Sequence, residues 1–322
     1  MFHKNYEKIA TDAPKMLFFE PVYKEVLWGG NKMRKMFGYD IPSDMTGESW
    51  VIGAHKKGDC IVSEGPYKGM TLSGLWREHR ELFGDYDKED FPLLLKVLDA
   101  KEDLSIQVHP DDEYAKMHEE EKYGKTESWY ILDCPQNATL VVGHTAETKE
   151  ELIDMINRKQ WKELVREIPI KKGDFIQLEP GTVHVIKGDI MILETQQNSD
   201  ITYRVYDYDR LMDGKKRELH LDKSIDVIMV PAKADVLSST SDTEPVQKLV
   251  AGKHYSVWKY VVKGELTVPM EPYFMLISVV DGEGIINGRE VKKGDHFILT
   301  TFNEKIVCKG NMDIISSAPI SI

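Results

Sequence analysis

An eight-residue unit occurs twice in the chain, as KKGDFIQL at residues 171–178 and as KKGDHFIL at 292–299. In each copy a Lys-Lys-Gly-Asp turn feeds an apolar run, the pattern of a strand re-entering a β-barrel. Two such copies predict two barrel units. Short runs rich in Val, Ile, Phe and Tyr at 51–54, 93–97, 105–109, 128–132, 175–178, 190–193, 273–280 and 296–301 extend the same reading to most of the chain. Many short strands separated by Gly, Asp and Lys turns predict a mainly β fold of the sandwich or barrel type. The polar stretch VLSSTSDTEP at 236–245 suits a linker, which divides the chain into a first unit over 17–235 and a second over 236–322. Residues 1–16 read as a flexible N-terminal tail, without the uninterrupted apolar stretch of a secretory signal.

Helical periodicity is confined to a few insertions in the first unit. Leu72, Leu75, Trp76, His79, Leu82 and Phe83 form one stripe that Gly84 can stop. The segment from Thr148 to Pro169 opens with a Thr148/Glu151 capping box and reads as a second helix. Residues 111–124 are strongly acidic, and the Glu run at 119–121 reads as a solvated helical face. The two repeat copies are not chemically equivalent. The first leads into PGTVH at 180–184, whereas the second leads into TFNEKI at 301–306 with no histidine. Metal chemistry therefore belongs to the first unit.

Four side chains there could converge on one ion: Gln107 and His109 in LSIQVHPDD (104–112), Glu127, and His184. In a strand, Ser105, Gln107 and His109 share one face while Ile106 and Val108 take the other. His184 likewise alternates with apolar neighbours. Imidazole and carboxylate ligands suit zinc and several other first-row ions. Taken singly, each residue has a plainer reading: a histidine on a strand is as readily a hydrogen-bonded core residue, and Glu127 an edge carboxylate. Trp28, Trp50 and Trp129 read as core, and the remaining histidines fall in no ligand spacing.

Composition excludes some partners. The net charge of −12 gives no support to nucleic-acid or anionic-membrane binding, so an anionic substrate would need a local basic cavity. The apolar runs are too short to span a bilayer as helices. Three dispersed cysteines, Cys60, Cys134 and Cys308, without a Cys-x-x-Cys pair, fit reduced thiols in a cytoplasmic protein.

The stretches LSIQVHPDD, GKTESWYIL (124–132), LEPGTVH (178–184) and NSDITYRVYDYDR (198–210), with WGG at 28–30 and GESW at 47–50, resemble the short bacterial form of the type I phosphomannose isomerases, within the cupin superfamily. The likeness covers about residues 17–230 and continues more weakly beyond. It implies two jelly-roll cupin units with a few short helices, the first catalytic and metal-binding, the second without ligands. It implies one Zn²⁺ per chain on Gln107, His109, Glu127 and His184, and interconversion of mannose 6-phosphate and fructose 6-phosphate through an enediolate. Lys125, Arg204 and Asp200 match catalytic positions; Ser105, Lys125 and Arg210 are the expected phosphate contacts. The proton-transfer group is open among Lys125, Asp200, Glu194 and metal-bound water. Longer members carry a histidine where this chain has Gly124. The expected partner is the sugar phosphate alone, with the protein a monomer or homodimer. Two rivals stand: a non-haem iron oxygenase, whose two-His-one-carboxylate set His109, Glu127 and His184 also spell, and a non-catalytic sugar-phosphate-binding cupin.

Overall fold

The computed structural model describes residues 13–212, 214–233 and 237–320. Its strands form three large antiparallel sheets. A five-stranded sheet runs, in spatial order, Val165–Pro169, Thr139–His144, His184–Val185, Ile106–Val108 and Tyr203–Tyr206. A seven-stranded sheet contains Asp174–Leu178, Glu127–Asp133, Ile190–Gln197 and Leu93–Ala100 as consecutive neighbours. An eight-stranded sheet is built mainly from the C-terminal part, around Tyr255–Pro269, Lys305–Pro319 and Met275–Ile286.

The repeated turn has the same construction in both copies. Asp174 accepts a hydrogen bond from the Lys171 amide at 2.9 Å, and Asp295 accepts one from Lys292 at 2.8 Å. Gly173 and Gly294 sit at φ +88° and +92°, where a side chain is strained. Each turn then delivers its strand, Asp174–Leu178 or His296–Leu299, into a sheet. The repeat thus encodes a fold device.

The sheet neighbours do not follow the simple division read from the sequence. Met16–Glu20 pairs with His296–Leu299 in the C-terminal sheet, and Leu237–Ser239 pairs with Asp174–Leu178 of the seven-stranded sheet. Each half of the chain therefore lends a strand to the other, and three residues of the expected linker, Leu237–Ser239, are strand. Of the expected tail, residues 1–12 lie outside the described residues. From Pro14 onward the chain is fastened: Thr300 donates to the Pro14 carbonyl at 2.9 Å and Asn303 to the Lys15 carbonyl at 2.7 Å.

The first helical stripe forms a helix at Leu72–Glu78, capped by Thr71, followed by a 3₁₀ turn at Arg80–Phe83 that Gly84 ends in the left-handed conformation. The second expected helix is shorter than its periodicity suggests. Lys149–Asn157 is helical with Thr148 as N-cap, Lys159 breaks it at φ +56°, Trp161–Leu164 forms one more turn, and Val165–Pro169 is a strand. The β-branched Val165 and Ile168 sit next to the open edge of Thr139–His144, and ladder pairing outweighs helix continuation there. The helix Lys149–Asn157 and a further helix at Leu221–Val227 cover the five-stranded sheet: Leu152, Ile156 and Ile228 pack with Ile106, Val108, Val183 and Val205. Its opposite face is left to look at the seven-stranded sheet, across Trp28, Leu98, Leu104 and Trp129.

Candidate metal centre

The inward face of the five-stranded sheet places three site residues in one row, because Gln107 is in register with His184 on one side and with Arg204 on the other. His109 follows two residues after Gln107 on the same face. Glu127 opens the facing strand Glu127–Asp133 of the seven-stranded sheet. The centre is thus assembled from two sheets, and its His109, Glu127 and His184 donor atoms all lie within 4.8 Å of one another.

Each imidazole is oriented by a backbone carbonyl. His109 Nδ1 is 2.7 Å from the Ile201 oxygen and His184 Nδ1 is 2.9 Å from the Thr182 oxygen. A proton on Nδ1 leaves a lone pair on each Nε2, the arrangement in which histidine binds a metal. Those nitrogens face the two oxygens of Glu127, each at 3.4 Å. His184 Nε2 and Glu127 Oε1 are buried without a hydrogen-bond partner. Lone pair facing lone pair in a dry interior is unfavourable unless a cation sits between them. Burial and the Lys125 charge lower the His109 pKa well below its ordinary value, and burial brings that of His184 to about 4, so both rings are neutral. The donor set fits a divalent ion.

Above the cluster opens a cavity of about 650 Å³. Ser105, Gln107, His109, Lys125, Asp200 and Arg204 all line it. Lys125 reaches toward the donors: its Nζ bonds to Glu127 Oε2 and lies 3.3 Å from His109 Nε2 and 3.7 Å from Glu194. Asp200 is held between Lys57, at 3.0 Å, and Lys96, at 3.8 Å. Burial opposes its ionisation, but these two charges prevail and lower its pKa. Glu194 behaves oppositely: burial raises its pKa despite Lys125 and Lys96. Arg204 has no carboxylate partner among the described residues, and its Nε is buried without a hydrogen bond.

Arg210 does not line the cavity with the other expected contacts. Its Nη2 donates to Asp207 at 2.6 Å, its Nη1 to the Asp103 carbonyl at 2.6 Å, and its guanidinium lies over the Tyr208 ring. The acidic run at 119–121 is not simply solvated either. Glu119 accepts from Tyr203 at 2.9 Å and Lys223 at 2.6 Å, Glu121 pairs with Lys56 at 2.9 Å, and the run forms part of the cavity wall.

Gly124 has a steric cause. A Cβ there would stand 2.3 Å from the Asp111 carbonyl carbon and 2.6 Å from the Pro110 oxygen. That close approach lets Lys125 donate its amide to Pro110 at 3.0 Å, while Asp112 accepts from Gly124 at 2.8 Å and from Gln197 at 2.9 Å. Gln197 in turn accepts from the Thr126 amide at 2.9 Å, so the His109 and Glu127 segments are tied together.

Sequence reasoning missed Lys96, buried amid Glu48, Glu194 and Asp200 at 3.5–3.8 Å. The signal was available: it is the one lysine in LLLKVLDA (93–100), a largely apolar run that reads as buried, and lysine is almost never fully buried unless paired. It also missed Arg217, which carries no local motif.

Comparison with known proteins matches residues 16–136 to the catalytic domain of type I phosphomannose isomerase and residues 246–319 to the mannose-6-phosphate isomerase cupin domain. The chain is 50% identical over 293 residues to the mannose-6-phosphate isomerase ManA of Bacillus subtilis, covering 88% of this chain and 92% of that protein. It is 44% identical to the mannose-6-phosphate isomerase of Streptococcus mutans, over 94% of this chain and 97% of that one. A crystal structure of the Bacillus subtilis mannose 6-phosphate isomerase superposes with a TM-score of 0.90 at 46% identity, covering 95% of this chain and 100% of that chain. A zinc-bound mannose 6-phosphate isomerase shares the fold, with a TM-score of 0.78 at 13% identity over 96% of this chain and 100% of that chain. With near-complete coverage at such identity, the chain belongs to the type I phosphomannose isomerase family.

Proposed function

We propose that this protein interconverts mannose 6-phosphate and fructose 6-phosphate, using one zinc ion per chain. The observation that carries the reading is the orphaned pair of His184 Nε2 and Glu127 Oε1 at the foot of a cavity lined by Arg204, whose buried Nε has no hydrogen-bond partner. His109, Glu127 and His184 would hold the ion, with the Gln107 amide beside them on the same sheet row. A bound divalent cation supplies Lewis acidity toward the substrate's oxygens as negative charge builds on them. Gln107 would add no charge, so Glu127 alone would contribute a negative ligand and a bound ion would keep its positive character.

Aldose–ketose exchange moves a proton between C1 and C2, which calls for a group that titrates near the working pH. Glu194 meets that demand better than Asp200. Burial lifts the Glu194 carboxyl, whereas Lys96 and Lys57 hold Asp200 ionised. Asp200 then serves to orient the two lysines. Lys125, close to both Glu127 and Glu194, donates hydrogen bonds into the reacting end of the cavity. Arg204 faces the substrate's anionic oxygens, for which a guanidinium fork is suited, and Ser105 lines the same cavity.

The same reading takes residues 17–235 as the catalytic cupin unit and 236–322 as a barrel without ligands. The single His/Glu/His group among the described residues supports one ion per chain. The three free thiols support a reducing, cytoplasmic setting, and the enzyme is read as a monomer or homodimer. No helix among the described residues is long and apolar enough to cross a membrane. The test is to measure bound metal and mannose 6-phosphate turnover before and after chelation. Turnover that disappears on chelation and returns with zinc is expected; a zinc-loaded sample without turnover overturns the reading. A Gln107→Glu variant that keeps its metal should turn over more slowly, and undiminished activity would refute the role given to the neutral amide.

A further inference from the structure

Two guanidiniums line the cavity, Arg204 and Arg217. Both belong to the same wall, and burial, and after it the Arg217 charge, lower the Arg204 pKa. The lysines of the cavity wall are each matched to a carboxylate: Lys57 to Asp200, Lys125 to Glu127 and Lys223 to Glu119, for example. Arg204 is not. Two guanidiniums on one cavity wall, one of them without a carboxylate in ion-pair contact among the described residues, make a site suited to an anion from outside the chain.

Arg217 is held in place rigidly. Its Nε donates to Asp207 Oδ2 at 2.7 Å and its Nη2 to Asp207 Oδ1. Asp207 is buried, and its Oδ1 also receives Arg210 Nη2 at 2.6 Å. Arg210 spends its remaining donors on the Asp207 and Asp103 carbonyls, at 3.3 and 2.6 Å. Arg217 spends only one edge of its fork on Asp207, and no partner occupies Nη1 among the described residues. A guanidinium has five donors, so the free edge can grip a tetrahedral oxyanion.

We propose that Arg217, fixed by the buried Asp207–Arg210 pair, acts beside Arg204 as a phosphate-recognition residue that selects phosphorylated over free sugars. Arg210 is the positioning residue behind it. The inference rests on the isomerase reading for the identity of the sugar, but the anion site stands on its own geometry.

The test uses the zinc-loaded full-length protein, with Arg217→Gln, Arg217→Lys and Arg210→Gln variants. Inorganic phosphate binding is measured by calorimetry, and KM and kcat with mannose 6-phosphate. Loss of charge-assisted hydrogen bonds should weaken phosphate binding in Arg217→Gln by roughly 10- to 100-fold and raise KM by a similar factor, with a much smaller change in kcat. Arg217→Lys keeps the charge without the fork and falls between; it also decides the matter if Arg217→Gln does not fold, because an unchanged phosphate affinity in the lysine variant would overturn the proposal. Arg210→Gln moves KM in the same direction by less. Phosphate affinity and KM that match the wild type in a folded Arg217→Gln overturn it. A wild type that turns over no sugar phosphate, yet loses phosphate binding on Arg217→Gln, removes the isomerase reading and leaves the anion site standing.

Discussion

Replacing Lys96 by methionine should destabilise the fold more than any other single change near the cavity. The ammonium is 4% exposed and sits 3.5 Å from Glu48, 3.7 Å from Glu194 and 3.8 Å from Asp200, and 4.8 Å over the Trp50 ring. At an effective dielectric of about 20, each contact near 4 Å is worth about 4 kcal/mol before desolvation. Burying the ammonium costs several kcal/mol, and breaking a buried pair from one side nets about 3–5 kcal/mol of lost stability. Some charge compensation survives: Lys57 stays 3.0 Å from Asp200 and Lys125 3.7 Å from Glu194, while Glu48 keeps the Trp50 indole N–H at 2.7 Å. Glu194, whose pKa burial already raises, should rise further once Lys96 is gone. A carboxyl with a raised folded pKa removes stability as pH climbs through its unfolded value toward its folded one. The variant should therefore melt roughly 10 °C below the wild type at neutral pH, taking about 2–4 °C per kcal/mol for a large domain, and the gap should narrow on acidification. Thermal unfolding of the zinc-loaded proteins across about pH 5 to 8 measures this. Coincident melting curves throughout that range would refute the buried-charge argument.

Other consequences are more local. Gly124→Ala places a Cβ against the Asp111 and Pro110 backbone, which cannot yield, so Lys125 should move and kcat fall by more than about tenfold while the protein remains folded; wild-type kinetics in that variant would contradict it. Chelation should lower the melting temperature as well as the activity, because an ion present at about a thousandfold above its dissociation constant contributes about 4 kcal/mol to the native state; a melting point indifferent to chelator would speak against a resident ion. Burial opposes ionisation of Asp207, but hydrogen bonds from Arg217 and Arg210 win and lower its pKa. Its contribution is therefore present above the unfolded value of about 4 and lost as pH falls toward the folded one, so an Asp207→Asn variant should show its full destabilisation at neutral pH and a shrinking one in acid. Urea titrations at several pH values check the sign.

Much of the centre was legible because its residues lie in short strands whose alternation shows in the sequence. Gln107 and His109 alternate with the apolar Ile106 and Val108, Glu127 is marked by the resemblance of GKTESWYIL to the family, and all three line or underlie the cavity. What stayed hidden depends on contacts between distant segments. Arg210 stands out in sequence and Arg217 does not; only the packing of Asp207 shows that the first braces and the second lines the cavity. The Glu run at 119–121 reads as solvated because the lysines that bind it, Lys56 and Lys223, are far away in the chain. The helix expected to Pro169 ends at Asn157, and from Val165 the chain pairs as a strand with the edge of Thr139–His144, a competition for the backbone that periodicity does not register.

The placement of Arg204, Gln107 and His184 in one row makes sheet register the quantity on which the chemistry depends. Side chains alternate with a period of two, so a slip of one residue in Ile106–Val108 would turn Gln107 outward and drive an apolar side chain into the metal-facing layer. What prevents the slip is the other face. Ile106 and Val108 are 3% and 0% exposed, packed with Val183, Val205 and the helices at Lys149–Asn157 and Leu221–Val227. Turning those two residues to the polar side would forfeit about 1.5–3 kcal/mol for each. The apolar residues that never touch substrate are therefore what fixes the ligand row. The helical insertions, remote from the chemistry in sequence, belong to the active site in an energetic sense: they hold the register that brings three separate strands to a single point.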